Sequence, residues 1–107
     1  WGWIMLRIVA IVRPFRLPAV LTELREQDLV RHVHTQEVRG YGRQKDHLDD
    51  YGGDDGLLAF LPKIRLEVLV EELFTDQVME AIARGARTGR IGDGKIFLLR
   101  GAPVAEV

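Results

Sequence analysis

The order of hydrophobic patterns along the chain constrains its fold more than any other feature. Residues 5–12 and 61–70 have the period of two and the β-branched content of strands. Each is followed by a helical pattern, from Pro18 to about Asp28 and from about Thr75 onward, and then by a second strand pattern at 32–40 and 95–99. The sequence therefore predicts the element order βαββαβ.

This order is the split arrangement of α+β ferredoxin-like folds, in which a four-stranded antiparallel sheet carries two helices on one face. We expect Thr75 to be the N-cap of the second helix. The inward-facing residues are expected to be Val20, Leu21 and Leu24 in the first helix and Val78, Ala81, Ile82 and Gly85 in the second. On the opposite face of the sheet, Val9, Ile11, Leu69 and one side of "KIFLL" predict an apolar surface, and hence a homo-oligomer.

A stretch of about twenty residues, 41–60, separates the second and third strands. It contains five Asp and four Gly and shows no sustained period. Loops of this length are uncommon in compact domains and are usually functional or disordered. Its Asp-rich part lacks the ligand spacing of an EF-hand, so a solvated loop is preferred to a calcium site. We interpret residues 1–107 as a single domain with this loop.

Composition excludes several classes of protein. A net charge of −1 does not favour bulk attraction to nucleic acid or an acidic membrane. The absence of cysteine removes disulfides, thiol catalysis and thiolate metal sites. No stretch approaches the roughly 20 apolar residues of a membrane span. We expect a cytoplasmic protein with no nucleic-acid partner.

The stretch "RTGRIGDGKIF", residues 87–97, is the strongest candidate for chemistry. Its three glycines allow close approach of the backbone, and successive amides can form an anion-binding nest. Arg87, Arg90 and Lys95 would supply the opposite charge. The same residues are also compatible with a simple glycine-rich turn.

Two more stretches, "GYGRQK" (40–45) and "FLPK" (60–63), flank the long loop, where the second and third strands are expected to pair. Glu67 is the carboxylate best placed there to accept from an amino group. His32 and His34 share one face of a strand, but a metal site would need a third ligand, so structural histidines are the preferred interpretation. No catalytic centre is predicted, and serine is absent altogether.

Four of these stretches, "IVRPFRL" (11–17), "GYGRQK", "FLPKIRLEV" (60–68) and "RTGRIGDGKIF", closely resemble the signatures of the PII signal-transduction proteins. The resemblance covers nearly the whole chain. It implies a ferredoxin-like homotrimer whose clefts between subunits bind ATP, ADP or AMP, with Mg²⁺ accompanying ATP. It also implies that the long loop, called the T-loop in this family, contacts a target protein.

The resemblance also assigns site residues. Those implied for the nucleotide cleft are Ile11, Gly40, Gly42, Arg43, Gln44, Glu67, Thr88, Gly89, Arg90, Gly92, Asp93, Gly94 and Lys95, with 92–95 as the phosphate cradle and Glu67 at the adenine end. Those implied for a small-molecule effector are Gln44, Lys45, Asp46 and Lys63, with Gln44 also meeting the metal.

The chain departs from the family pattern at several positions. Gly56 stands where the family has its modified tyrosine, and Asp46 stands where the family has a glycine. His34 stands where the family has an adenine-contacting threonine, in a strand that carries a one-residue insertion. The arginine pair that holds the outer phosphates would fall beyond Val107. We therefore expect a nucleotide sensor that favours ADP or AMP and responds weakly to 2-oxoglutarate.

The partner expected from these departures is a transporter in inorganic-carbon uptake, with bicarbonate as effector and membrane contact only through that transporter. The alternative is an ordinary nitrogen-regulatory PII protein that senses ATP, ADP and 2-oxoglutarate. Two further hypotheses are a slow ATPase and a metal-responsive trimer that uses His32, His34 or the Asp-rich loop.

Overall fold

The computed structural model describes residues 5–40 and 61–100. Residues 41–60, which the sequence predicts to be a long loop, lie outside the described residues, and so do the departures from the family pattern at Asp46 and Gly56. The strands are β1 (Met5–Val12), β2 (Val30–Gly40), β3 (Leu61–Glu71) and β4 (Gly94–Arg100), and the helices are α1 (Leu17–Gln27) and α2 (Thr75–Ala86). In the described ranges no helix is long and apolar enough to cross a membrane.

The four strands form one antiparallel sheet in the order β2-β3-β1-β4. The predicted βαββαβ architecture is confirmed. Gly40 pairs with Leu61, so both ends of segment 41–60 start from adjacent strands, as expected. Lys63 pairs with Val38 just inside this junction.

The core lies between the helices and the inner face of the sheet, the face that packs against them. Alternate residues of β1 and β3 are buried there, because successive side chains of a strand point to opposite faces. Each fully buried Val, Leu or Ile contributes about 1.5–3 kcal/mol. Of the helix residues predicted to face inward, Leu21 is only partly buried against the core. The core comprises Ile8, Ala10, Val12, Val20, Leu24, Ile64, Leu66, Val68, Val70, Val78, Ala81, Ile82 and Ala86.

The two helices approach closely at Gly85. A Cβ atom at this position would lie 2.6 Å from the Cα of Val20, which is closer than real contacts allow. The absence of a side chain at Gly85 therefore sets the distance between α1 and α2.

Each strand-to-helix connection passes through a short 3₁₀ turn, Pro14–Arg16 after β1 and Glu72–Phe74 after β3. The expectation that Thr75 is the N-cap of α2 is wrong. Thr75 is the first helical residue, and its buried hydroxyl donates to the Glu72 carbonyl oxygen at 2.8 Å instead of capping the helix. The 3₁₀ turn moves the start of the helix one residue earlier than the cap pattern indicates.

The outer face of the sheet, opposite the helices, is divided. On its β1–β4 half, Val9 is only 5% exposed, whereas Phe97 and Leu99 on the edge strand are 47% and 37% exposed. On its β2–β3 half, Lys63, Arg65 and Glu67 make the surface charged. The apolar residues expected on this face, Val9, Ile11, Leu69 and alternate residues of β4, do lie there, and the charged residues of β3 lie beside them.

A bulge at Arg31 decides which side chains of β2 reach the outer face. Val30 lies opposite Val70, but His32 lies opposite Leu69, so one extra residue is inserted on the β2 side. The bulge shifts His32 and His34 to the outer face, beside Leu69 and Glu67.

Candidate functional site

The turn between α2 and β4 is built around the carboxylate of Asp93. Its Oδ2 accepts from the backbone amide of Thr88 at 2.7 Å and from that of Gly89 at 3.1 Å. Its Oδ1 accepts from the Thr88 hydroxyl. The first part of the predicted amide nest is therefore filled by the protein's own carboxylate, which fixes the shape of the turn.

Arg13, at the end of β1, connects the turn to the sheet. Its Nε lies 3.3 Å from Asp93 Oδ1, and its Nη2 donates to the carbonyl oxygen of Ile91 at 3.1 Å. Burial opposes ionisation of Asp93, but the hydrogen bonds from Thr88 and Gly89 and the charge of Arg13 together hold its pKa below the usual value. Asp93 is thus held as a carboxylate that organises the turn.

Gly94 allows the turn to enter β4. Its φ is 155°, and a Cβ atom there would lie 2.3 Å from the carbonyl oxygen of Ile11. Gly89 and Gly92 also have positive φ, but no atom approaches within 4 Å of a Cβ built on Gly89. Gly94 is required by close backbone contact, and Gly89 by backbone conformation alone.

A pocket of about 310 Å³ lies between this turn and the C-terminal end of α2. It is lined by Val12, Ala83, Ala86, Arg87, Arg90, Gly92, Asp93, Gly94, Lys95 and Ile96. Three of these lining residues are basic, one is acidic and two are glycines. Basic residues next to glycine backbone are suited to an anion such as phosphate.

Lys63 approaches the same turn from β3. Its Nζ lies 3.5 Å from the carbonyl oxygen of Gly92. Burial and the nearby charge of Arg13 lower the pKa of Lys63, while Asp93 partly opposes this shift. A bound anion would relieve the repulsion between Lys63 and Arg13.

Glu67 has arginine partners within the chain. Its Oε1 accepts from Arg65 Nη2 at 3.0 Å and lies 3.8 Å from Arg7 Nη1. Glu67 remains a hydrogen-bond acceptor on the outer face, but an amino group bound there would share it with Arg65.

The structure divides the residues predicted for nucleotide binding into groups. Arg90, Gly92, Asp93, Gly94 and Lys95 line the pocket, while Thr88 and Gly89 support it through Asp93. Ile11 and Glu67 lie instead on the outer face of the sheet, and Ile11 is paired with Lys95. The positions outside the described residues are Gly42, Arg43, Gln44, Lys45 and Asp46, and Gly40 ends β2 next to them.

Sequence reasoning missed two residues of the site. Arg13 was not among the candidates, although it makes two contacts to the turn. Arg16 donates from Nε to the Gly85 carbonyl oxygen at 2.8 Å, where it caps the last turn of α2 below the pocket. The only sequence signal for these two arginines was their position in "RPFR", directly after a strand. Their partners lie about seventy to eighty residues away along the chain, and this separation concealed their contacts to the site.

Known proteins share this architecture along almost the whole chain. The family model described as "Nitrogen regulatory protein P-II" matches residues 5–107. A nitrogen regulatory protein P-II of Azospirillum brasilense is 43% identical over 103 residues, which cover 96% of this chain and 88% of the relative. Nitrogen regulatory protein P-II 1 of Escherichia coli is 41% identical over 103 residues, 96% of this chain and 91% of the relative.

A solved structure, Arabidopsis thaliana PII bound to citrate, has a TM-score of 0.72 and 34% sequence identity, and the match covers 94% of this chain and 79% of that chain. This chain belongs to the nitrogen regulatory protein P-II family.

Proposed function

We propose that this chain is a signalling protein that binds an adenine nucleotide at the turn between α2 and β4 and thereby controls contact of segment 41–60 with a target protein. The observation that carries the proposal is the pocket of about 310 Å³ whose lining includes Arg87, Arg90 and Lys95. The turn beside it is fixed in advance by Asp93, so little ordering is needed when a phosphate binds.

One route connects this pocket to segment 41–60. Lys63 contacts the Gly92 carbonyl oxygen from β3, and Lys63 lies two residues after the first residue of that strand, Leu61. An anion that draws Lys63 away from Gly92 changes the charge at the base of the segment. A ligand shifts a conformational equilibrium only through such a difference in contacts between the two states.

The proposed nucleotide cleft is completed by a second copy of the chain in a homotrimer. Ile11 and Glu67 lie on the outer face, away from the pocket-lining group, and Phe97 and Leu99 leave apolar area exposed beside them. Copies packed on this surface would bring outer-face residues of one chain toward the pocket of another. We assign the protein a binding function and no catalytic step.

The names of the relatives favour nitrogen regulation over inorganic-carbon uptake. The bicarbonate effector and the transporter partner stay predictions from Gly56 and Asp46, which lie outside the described residues. The nitrogen-regulatory version would bind ATP or ADP with 2-oxoglutarate, with Gln44 meeting the Mg²⁺ that accompanies ATP, and these ligands stay predictions. Preference for ADP or AMP remains a prediction.

Calorimetric titration of the full chain with AMP, ADP and Mg-ATP tests the proposal. Each titration is repeated in the presence of 2-oxoglutarate and in the presence of bicarbonate. We expect at least one nucleotide to bind, and Lys95→Met to weaken it by about 10- to 100-fold, the loss of one strong charge-assisted contact of about 1.5–3 kcal/mol. Arg100→Met, which removes a cation from the other end of β4, is the matched control and should leave affinity unchanged.

If no nucleotide binds, the proposal is wrong. Equal weakening by Lys95→Met and Arg100→Met would show that general positive charge, not the pocket, attracts the ligand. Tightening by 2-oxoglutarate supports the nitrogen-regulatory version, and tightening by bicarbonate alone supports the carbon-uptake version.

A further inference from the structure

Lys63, near the start of β3, is a half-buried lysine beside an arginine. Its Nζ lies 3.5 Å from the Gly92 carbonyl oxygen, a long contact that leaves the amine free to turn. Val12 pairs with Ile64, so Arg13 and Lys63 are the next residues on the two neighbouring strands. We propose that Lys63 is a carbamylation site, where CO₂ adds reversibly to the side-chain amine and Arg13 holds the carbamate that forms.

The surroundings of Lys63 favour the neutral form of its amine. A lysine amine attacks an electrophile only when it is neutral, and burial or a second cation favours that form. Burial and the charge of Arg13 lower the pKa of Lys63, and together they outweigh the opposing attraction of Asp93. Arg65 lies two residues along β3 on the same face, but its guanidinium donates to Glu67. The neutral amine is therefore available at a lower pH than that of an ordinary lysine.

The addition of CO₂ balances without any further reactant. The lone pair of the neutral Nζ attacks the carbon of CO₂ and forms an N–C bond, while one C=O electron pair moves to oxygen. The amine then loses one proton to water, which leaves a carbamate anion at the end of the side chain. CO₂ is small and uncharged, so it reaches a half-buried amine, including one that lies beside a cleft between subunits.

Arg13 supplies the opposite charge for the carbamate. Its hydrogen bonds to Asp93 and to the Ile91 carbonyl oxygen use two of the five N–H donors of a guanidinium. The carboxylate of Asp93 also accepts from two backbone amides of the turn, and Arg13 affects Lys63 more strongly than Asp93 does. The local charges thus favour an anion here, and the carbamate replaces a repulsive pair of cations by an attractive ion pair.

The change of charge would act at the base of segment 41–60, since Lys63 lies two residues after Leu61. An amine expected to meet an anionic effector becomes an anion itself, so CO₂ would oppose an effector such as 2-oxoglutarate. That consequence rests on the proposed function, whereas formation of the carbamate depends on Lys63 and Arg13 alone. The test therefore uses the full chain without nucleotide, and its outcome is separate from that of the nucleotide titration.

Trapping with a trialkyloxonium salt at neutral pH tests the site, because it converts a labile carbamate to a stable alkyl carbamate that tandem mass spectrometry locates. The full chain is treated with and without ¹³CO₂, and its three lysines, Lys45, Lys63 and Lys95, are compared. We expect ¹³C at Lys63 and about 10-fold less at the exposed Lys95, since an exposed carbamate gains little from an ion pair.

Two variants separate the role of Arg13 from that of general positive charge. Arg13→Gln should lower the trapped fraction at Lys63 by about 10-fold, because the carbamate loses its charged partner. Arg65→Gln, which removes a cation two residues away on the same face of β3, is the matched control and should leave the trapped fraction unchanged.

Three results would overturn the proposal: no trapped carbamate at Lys63, equal trapping at Lys63 and Lys95, or trapping in Arg13→Gln no lower than in Arg65→Gln. NMR of the chain labelled with ¹⁵N-lysine under ¹³CO₂ is a second measurement that needs no trap. A one-bond ¹³C–¹⁵N coupling that is absent in Lys63→Arg would support the covalent site. A bound ¹³C signal without this coupling would indicate bicarbonate held without a covalent bond, and this result would also overturn the proposal.

Discussion

The two strand-to-helix connections have nearly the same backbone conformation but carry side chains of opposite charge. Arg13, which follows β1, has φ −68° and ψ 139°, and Glu71, the last residue of β3, has φ −69° and ψ 142°. Each is followed by a 3₁₀ turn whose middle residue is exposed, Phe15 in one and Leu73 in the other. Because β1 and β3 are antiparallel, the two connections lie at opposite ends of the sheet.

The first connection carries Arg13 and Arg16, and the second carries Glu71 and Glu72. The segments by which the helices return to the sheet at these two ends differ as well. At the basic end α2 returns to the sheet through the glycine-containing turn 87–93, whereas at the other end α1 returns through Asp28 and Leu29 alone. The two connections therefore share a backbone conformation but differ in side-chain charge and in the length of the returning segment, and the pocket proposed to bind anions lies at the basic end.

The largest expected effect tests how much the basic end depends on close backbone contact. Gly94→Ala would place a Cβ atom 2.3 Å from the Ile11 carbonyl oxygen and should lower the free energy of unfolding by about 3 kcal/mol or more. Urea denaturation would measure it. Gly89→Ala, which keeps a positive φ but meets no atom within 4 Å, should cost about 1 kcal/mol. Equal losses in both variants would mean that backbone conformation, not the contact, is what matters at Gly94.

A second prediction concerns the carboxylate that shapes the turn. Asp93→Asn replaces one acceptor oxygen by a donor that faces backbone amides, so the free energy of unfolding should fall by about 2 kcal/mol at neutral pH. The pKa of Asp93 is lowered in the folded state from 3.8. Its stabilising contribution is therefore present above that unfolded-state value and is lost as pH falls through the folded pKa.

Urea denaturation of wild type and Asp93→Asn at pH 7 and near pH 3 should show the difference shrinking at the lower pH. Asp28→Asn is the matched change at the other end, where the left-handed backbone accepts Asn and little effect is expected at either pH. A difference that stays constant with pH would contradict the role given to the ionised carboxylate.

The smallest expected effect compares the two equivalent positions directly. Arg13→Gln removes the guanidinium that contacts Asp93 and Ile91, and should cost about 1 kcal/mol. Glu71→Gln should stay within about 0.5 kcal/mol, as surface substitutions usually do. Thermal unfolding of both variants would measure the contrast, and equal losses would show that the two connections are equivalent in stability as well as in backbone.

The sequence alone determined the architecture and singled out the turn between α2 and β4. Strand period, helical period and their order sufficed for βαββαβ, because burial of alternate residues is a local property that each strand carries in its own pattern. The stretch from Arg87 to Lys95 was identified in the same way, since glycine and basic residues within one turn need no distant partner to be recognised.

Only the tertiary structure decided the rest. Arg13 and Arg16 reach their partners across about seventy to eighty residues of chain, and no local pattern indicates which carbonyl or carboxylate they meet. The bulge at Arg31 similarly chose the outer face for His32 and His34, because pairing with β3, not the alternation within β2, fixes the register. Contacts between residues distant in sequence depend on how elements pack, and that information lies in the fold as a whole.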